Sequence, residues 1–318
     1  MILLWGIDDD SPLAAVRDAV CRLGVPIALL DQHAVLETAI DLRVGTAVAG
    51  VVRTGDQRID LGAVTAAYLR PSDLPRLRPL ARAGPGSRSW RHAVAVTDAL
   101  WSWAELTPAL VVNRPAAMAG NHSKPYQSSQ IRSCGFEIPE TMITTDAREV
   151  LAFWRRHGTV IYKSISGVRS IVARLTPQHL ERLGDLAWCP TQFQRYVPGT
   201  DYRVHVVGDD VFACEVISEA DDYRYAGRKG ATVRFRPCDL SGELSSRCRS
   251  LVARLGLTVA GVDLRRSTDG TWYCFEVNPS PGFTYYETAT GQPIADAIAR
   301  LLAARSSAER AGAVDAAA

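Results

Sequence analysis

The stretch Gly261-Val-Asp263-Leu-Arg-Arg-Ser-Thr-Asp-Gly270-Thr-Trp-Tyr-Cys-Phe-Glu276-Val-Asn278 decides the fold. Asp269-Gly270 between two apolar-patterned runs signals a two-residue hairpin turn. With that turn, Asp263 falls directly opposite Glu276 as a non-hydrogen-bonded pair, with Cα atoms about 4.5 Å apart. Asn278, two residues beyond Glu276, points to the same face. A four-residue turn would make the pair diagonal and keep the face, whereas a three-residue turn would break the alignment. Facing carboxylates repel each other, and a divalent cation relieves the repulsion. Oxygens of Asp, Glu and Asn suit Mg²⁺, which keeps some waters and takes phosphate oxygens for the remainder. The plainer reading is an amphipathic hairpin with a polar outer face. Three oxygen ligands on one face, followed by Pro279-Ser-Pro-Gly282, favour the metal.

Working outward, residues 2–7 read as a buried strand, 13–23 as a helix and 25–30 as a second strand, a β-α-β opening. Residues 47–53 and 57–61 flank Thr54-Gly55-Asp56 as a hairpin. Residues 64–69 form a strand ending at Arg70-Pro71, 72–88 a loop, 89–106 a helix and 109–112 a short strand. Asn113-Arg-Pro115 marks a boundary. A helix follows from Ser123, which serves as its N-cap, with Pro125 in the first turn. Residues 149–157 are helical, 159–163 and 171–175 are strands, and 177–183 form a short helix. Residues 194–197, 202–207 and 211–217 read as a β-meander. Residues 241–255 are helical, 257–266 and 272–278 are strands, and 292–304 form the last helix. The Ala- and Ser-rich residues 305–318 read as a frayed or disordered tail.

The acidic hairpin resembles the ATP-grasp superfamily, and in particular its RimK-like branch. That branch ends in an Asp on one strand and a Glu-x-Asn on the next, here Asp263 and Glu276-Val-Asn278-Pro-Ser-Pro-Gly-Phe283. The resemblance runs from about 113 to 302. It implies an α/β fold made of α+β lobes: an N-terminal Rossmann-like pre-ATP-grasp lobe over 1–113, a central lobe over 114–192 and a C-terminal lobe over 193–304. It also implies ATP between the last two lobes, with Mg²⁺, or Mn²⁺ in its place, on Asp263, Glu276 and Asn278.

Other segments fall in the family's order. Ser123-Lys-Pro-Tyr-Gln127 resembles the first nucleotide lysine region and Val160-Ile-Tyr-Lys163-Ser164 the second. Lys124 and Lys163 are therefore expected to contact phosphates. Taken alone, each reads equally well as a helix-start or strand-end lysine snorkelling to solvent. Gln192-Phe-Gln194-Arg195-Tyr196-Val197 resembles the linker that holds adenine through backbone groups. Asp201 matches the acidic position that accepts ribose hydroxyls, or is a turn residue after Pro198-Gly199. Arg203 is expected to reach the phosphates or the acyl-phosphate. Arg228 and Lys229, in a basic glycine-containing loop, are expected to neutralise charge during transfer. Arg70, Tyr285 and Glu287 are candidates for substrate contact, with aromatic packing under the last helix as the alternative for the segment 281–287.

The loop Ser164-Ile-Ser-Gly167-Val-Arg-Ser170 has one glycine where many members have several. In this, and in Tyr68-Leu-Arg70-Pro71, the chain is similar to the microviridin-type (graspetide) peptide ligases. Against that likeness, the residues after Glu-x-Asn-Pro differ. The family implies a ligase that joins a carboxylate to an amine through an acyl-phosphate, forming an amide or an ester on an amino acid or a peptide. The family's members are often dimers or tetramers, which leaves room for a homo-oligomer. The rival readings are a phosphotransferase of the same fold and a non-catalytic nucleotide-regulated peptide binder.

Composition is consistent with this and excludes other classes. A net charge of +2 gives no field for nucleic acid. No run approaches the ~18 apolar residues of a membrane span, and the N-terminus lacks a basic region before its apolar run. Seven scattered cysteines without a CxxC pair argue against zinc or a disulfide framework and for a reducing cytosol. Gly6-Ile-Asp-Asp-Asp10 has no GxGxxG, against a dinucleotide-binding dehydrogenase. His205 and His122 are conceivable bases, with a structural role preferred for both.

Overall fold

The computed structural model describes residues 1–120, 123–165, 172–218 and 232–315, the last eleven of these by backbone alone. The chain opens with β1 (Ile2–Gly6), α1 (Ser11–Arg22), β2 (Ile27–Asp31), β3 (Thr38–Val44), β4 (Val48–Thr54), β5 (Gln57–Asp60), β6 (Ala66–Arg70), α2 (Arg88–Leu106) and β7 (Leu110–Val112). Strands β2-β1-β6-β7 form a parallel sheet, and β3-β4-β5 form a separate antiparallel one. All five residues of β1 are buried, as befits a central parallel strand covered on both faces. Leu3 and Trp5 share one core with Trp103 of α2, while Ile2 and Leu4 share the other with Val16 of α1. Strand β3 has no counterpart in the sequence reading, because residues such as Asp41 and Arg43 interrupt its apolar pattern.

Next come α3 (Pro115–Ala119), α4 (Lys124–Ser133), β8 (Thr141–Thr144), α5 (Ala147–His157), β9 (Val160–Ser164), β10 (Ala173–Arg174), α6 (Pro177–Leu180) and β11 (Thr191–Arg195). Ser123 caps α4 as expected, its Oγ accepting from the Tyr126 N–H. Strands β10-β9-β11-β8 form an antiparallel sheet. Its core contains Val150, Phe153, Val160 and Phe193. Two expectations change here. The strand read as 194–197 is β11 at 191–195, and it belongs to this sheet rather than to the following meander. The lobe read as 114–192 divides in space, since Ile131 and Phe136 lie in the core of the next sheet, with Leu251 and Val262.

The remaining elements are β12 (Gly199–Val207), β13 (Asp210–Ser218), β14 (Val233–Cys238), α7 (Gly242–Arg254), β15 (Val259–Ser267), β16 (Trp272–Asn278), α8 (Thr284–Thr290) and α9 (Ile294–Asp315). Strands β14-β13-β12-β15-β16 form an antiparallel sheet. Helix α9 continues to Asp315, past the point where a frayed tail was expected, because its Ala-rich sequence favours helix. Among the described residues no helix is long and apolar enough to cross a membrane.

Candidate functional site

Asp263 on β15 does stand opposite Glu276 on β16, and Gly261 opposite Asn278. The reason differs from the expected one. Ser267 N–H donates to Thr271 O and Gly270 N–H to Ser267 O, both at 2.9 Å, so Thr268-Asp269-Gly270 is a three-residue loop. Gly270 takes the positive φ of 89° that this turn needs. Asp269 accepts from Ser267 Oγ at 2.6 Å and Thr271 N–H at 3.0 Å, and these bonds pull its carboxyl down to about 2. Such a loop alone would misalign the carboxylates, and Leu264 does pair with Cys274. A bulge at Phe275 then adds one residue to β16 and restores the register from Asp263 onward.

The carboxylate row extends onto β12, where Arg203 pairs with Asp263. Arg203 Nη1 donates to Asp263 Oδ1 at 2.8 Å, and its guanidinium is buried. Gly261 makes this geometry possible, since a Cβ there would overlap the guanidinium and approach Pro281 Cβ at 2.9 Å. Arg203 Nε also faces His205 Nε2 at 3.4 Å. Burial, then the Arg203 charge, hold the His205 pKa well below its usual value, against a raising hydrogen bond to the Gly282 backbone. His205 is therefore a neutral acceptor at neutral pH. The Tyr286 ring lies 5.5 Å from the Arg203 guanidinium carbon and 5.1 Å from the His205 ring. Tyr286 was read only within the candidate substrate segment 281–287, and the role of Gly261 was not read at all, because Arg203 and His205 lie on a strand far away in the chain.

On the other side, Lys124 Nζ lies 3.7 Å from Glu276 Oε2. The two carboxylates thus each have a cation beside one oxygen. Lys163 on β9 is 7% exposed and lines a cleft between the central and C-terminal sheets. The cleft brings together Lys163, Gln194, Arg195, Tyr196, Val197, Asp201, Asp263 and Glu276, with the bulged Phe275 among its walls.

The linker's backbone is partly engaged. Arg195 N–H donates to Glu140 O and Tyr196 N–H to Thr159 O, while Val197 O accepts from Arg265 Nη1 at 2.8 Å. The Val197 N–H has no partner among the described residues. Gln194 donates to Thr141 Oγ1, leaving its buried Oε1 without a partner. Such an orphaned acceptor costs free energy unless a ligand donor or water meets it. Both Asp201 oxygens accept from Arg265, at 2.6 and 2.7 Å. The guanidinium carbons of Arg174 and Arg265 lie 4.5 Å and 5.6 Å from the centre of the Tyr196 ring.

The expected substrate residues stand apart from the cleft. Arg70 donates to Asp10 Oδ2 at 2.5 Å, Ser280 Oγ at 3.1 Å and Pro281 O at 3.0 Å, tying the first sheet to the turn after Asn278. Glu287 accepts the Ala295 N–H at 2.9 Å and so caps α9. Tyr285 is 62% exposed, with its ring 5.1 Å from Phe235. Arg228, Lys229 and His122 lie outside the described residues.

The donors fit a hard cation only in company. Among the described residues no three His, Cys, Asp or Glu side chains converge to hold a metal. Asp263 and Glu276 supply two carboxylates. Asn278 Oδ1 accepts the Ser280 N–H at 2.9 Å and has a second lone pair. Two carboxylates and an amide suit Mg²⁺ when phosphate oxygens complete the shell. The orphaned Gln194 Oε1 and the Val197 N–H suit the edge of a base.

Comparison with known proteins bears on the fold and the family. The RimK-like ATP-grasp domain matches residues 135–302. A probable alpha-L-glutamate ligase of Cellvibrio japonicus is 37% identical over 108 residues, 34% of this chain and 35% of that protein. The match thus spans about a third of that relative's length. The macrocyclase MdnC of Microcystis aeruginosa, solved with precursor peptide MdnA, superposes with a TM-score of 0.79 at 22% identity, covering 95% of this chain and 98% of that one. The ATP-grasp ligase PsnB, solved with a phosphomimetic variant of a minimal precursor, Mg and ADP, gives 0.77 at 24%, covering 96% and 98%. With the family's domain spanning more than half of its length, the chain belongs to the RimK-like ATP-grasp family.

Proposed function

We propose that the protein is an ATP-dependent ligase that activates a carboxylate as an acyl-phosphate and joins it to an amine or a hydroxyl on a peptide or amino-acid substrate. The observation that carries this is the row Arg203–Asp263–Glu276–Lys124, two carboxylates flanked by two cations at one end of a cleft. Nucleotide would lie with its base at Gln194–Val197 and its phosphates toward Lys163 and Lys124. Asp201, though clamped by Arg265, has lone pairs left for a ribose hydroxyl. Mg²⁺ on Asp263, Glu276 and Asn278 would neutralise phosphate charge during transfer.

The substrate carboxylate attacks the γ-phosphorus, giving acyl-phosphate and ADP. The amine or hydroxyl then attacks the acyl carbon, loses its proton and expels phosphate. Lys163 and Lys124 offset negative charge at fixed positions, and Arg203 adds a cation held by Asp263. Positioning and electrostatics carry such transfers without a protein nucleophile. A peptide is favoured over a free amino acid because the likeness to the peptide-bound macrocyclase, at a TM-score of 0.79, is greater than that to D-cycloserine synthetase, at 0.59, each over at least 95% of the chain.

The test is ADP and product formation from ATP with panels of acidic peptides and amino acids. Amide or ester product with stoichiometric ADP is expected, and Glu276→Gln is expected to lower turnover by about 100-fold or more. A phosphorylated product would indicate a phosphotransferase instead. Full turnover by Glu276→Gln would remove the site assignment.

A further inference from the structure

We propose that Gln127 is a positioning residue that locks the helix bearing Lys124 onto β16 and so fixes where Glu276 and Asn278 meet a nucleotide-bound cation. The inference rests on the proposed function and concerns a side chain outside the ligand set.

Strand β16 is the edge of its sheet, with β15 on one side only. Its outward backbone groups need partners when buried. Near the loop end the main chain of Glu137 serves, its N–H donating to Trp272 O and its carbonyl accepting from Cys274 N–H, both at 3.0 Å. At Val277 the partner is a side chain. Gln127 Nε2 donates to Val277 O at 2.8 Å, and Val277 N–H donates to Gln127 Oε1 at 2.9 Å. The carboxamide thus acts as a one-residue neighbouring strand, and Gln127 is 5% exposed.

Val277 is the residue between Glu276 and Asn278. Gln127 lies three residues after Lys124, close to one turn of α4 and on the same side. One helical turn therefore reaches two consecutive residues of β16: the Glu276 carboxylate through Lys124 at 3.7 Å, and the Val277 backbone through Gln127. The first contact is an ion pair between flexible side chains. The second is a pair of short bonds to main chain, which sets the distance between helix and strand. Met matches Gln in length without either polar group, and Asn keeps the amide on a shorter stem.

The experiment measures ADP binding to the full chain by calorimetry, with and without Mg²⁺. The wild type is expected to bind ADP more tightly with Mg²⁺. Gln127→Met is expected to lose about tenfold of that gain, as outer-sphere partners of metal ligands usually contribute, with ADP affinity in the absence of Mg²⁺ unchanged. Gln127→Asn is expected to fall between the two, and it carries the test if Gln127→Met does not melt cooperatively.

Arg114→Met supplies the control for stability. Its guanidinium donates to Ala104 O, Glu105 O and Thr107 O at 2.8 Å and Ala109 O at 3.1 Å, so its loss lowers the melting temperature without touching β16. This variant is expected to keep the full Mg²⁺ gain. Retention of the full gain by both Gln127 variants, or a comparable loss of it in Arg114→Met, overturns the positioning role. A wild type whose ADP affinity ignores Mg²⁺ overturns the proposed function, and the role of Gln127 with it.

Discussion

At Gly261 the Arg203 guanidinium occupies the volume that a side chain would need. Gly261→Ala must move the guanidinium or part β12 from β15, and overpacking of this kind costs about 1–3 kcal/mol. The expected result is a lower melting temperature, with turnover falling by more than the stability loss explains, because the Asp263 bond depends on the same guanidinium. Unchanged melting and turnover would show that the space is not needed. The pairing of Asp263 with Glu276 was legible in the sequence because both flank one local hairpin and strand side chains alternate with a period of two. The partner of Asp263 on β12 was not, because Arg203 lies sixty positions away and the order of strands in a sheet is a non-local property. The same holds for Asp201, read as a ribose acceptor and found in a two-bond clamp with Arg265.

The hairpin β15–β16 joins two irregularities that offset one another, a three-residue loop and a bulge. Asp-Gly is the strongest sequence signal for a two-residue turn, and nothing in Cys-Phe-Glu marks Phe275 as the unpaired residue. The reading therefore reached the right pair through the wrong turn. The bulge also sets the Phe275 ring in the cleft wall, 5.3 Å from the Arg265 guanidinium carbon. A buried Phe side chain contributes about 1.5–3 kcal/mol, so Phe275→Ala is expected to weaken ADP binding roughly tenfold and to leave the Mg²⁺ gain intact. A loss confined to the Mg²⁺ gain would mean that the ring matters for register instead. Other elements escaped for their own reasons. Strand β8 buries none of its four residues fully, so its sequence carries no core-facing apolar run. Strand β14 contains Pro237, which argues against a central strand and is tolerated on the edge it occupies.

Helix α9 decides how the lobes hold together. Ile298 and Leu302 are fully buried against Ile2 and Leu4 of the parallel sheet and against Val207 and Val259 of the C-terminal sheet, in one continuous core. Lobes drawn as consecutive segments miss this, because the last helix of the chain completes the first lobe. The central sheet has a core of its own, built on Phe153 and Phe193, and the chain leaves it through the linker at Arg195–Val197. The N-terminal and C-terminal sheets should therefore unfold as one cooperative unit, while the central sheet opens at lower cost. Ile298→Ala is expected to destabilise that unit by about 2–5 kcal/mol. Native-state hydrogen exchange checks this: amides of β1, β6, β12 and β15 should all lose protection by the same amount, while those of β9 and β11 keep theirs. Protection lost in β1 and β6 but retained in β12 and β15 would mean that α9 belongs to the first lobe alone, leaving Arg70 and its bonds to Ser280 and Pro281 to hold the first sheet against the candidate site.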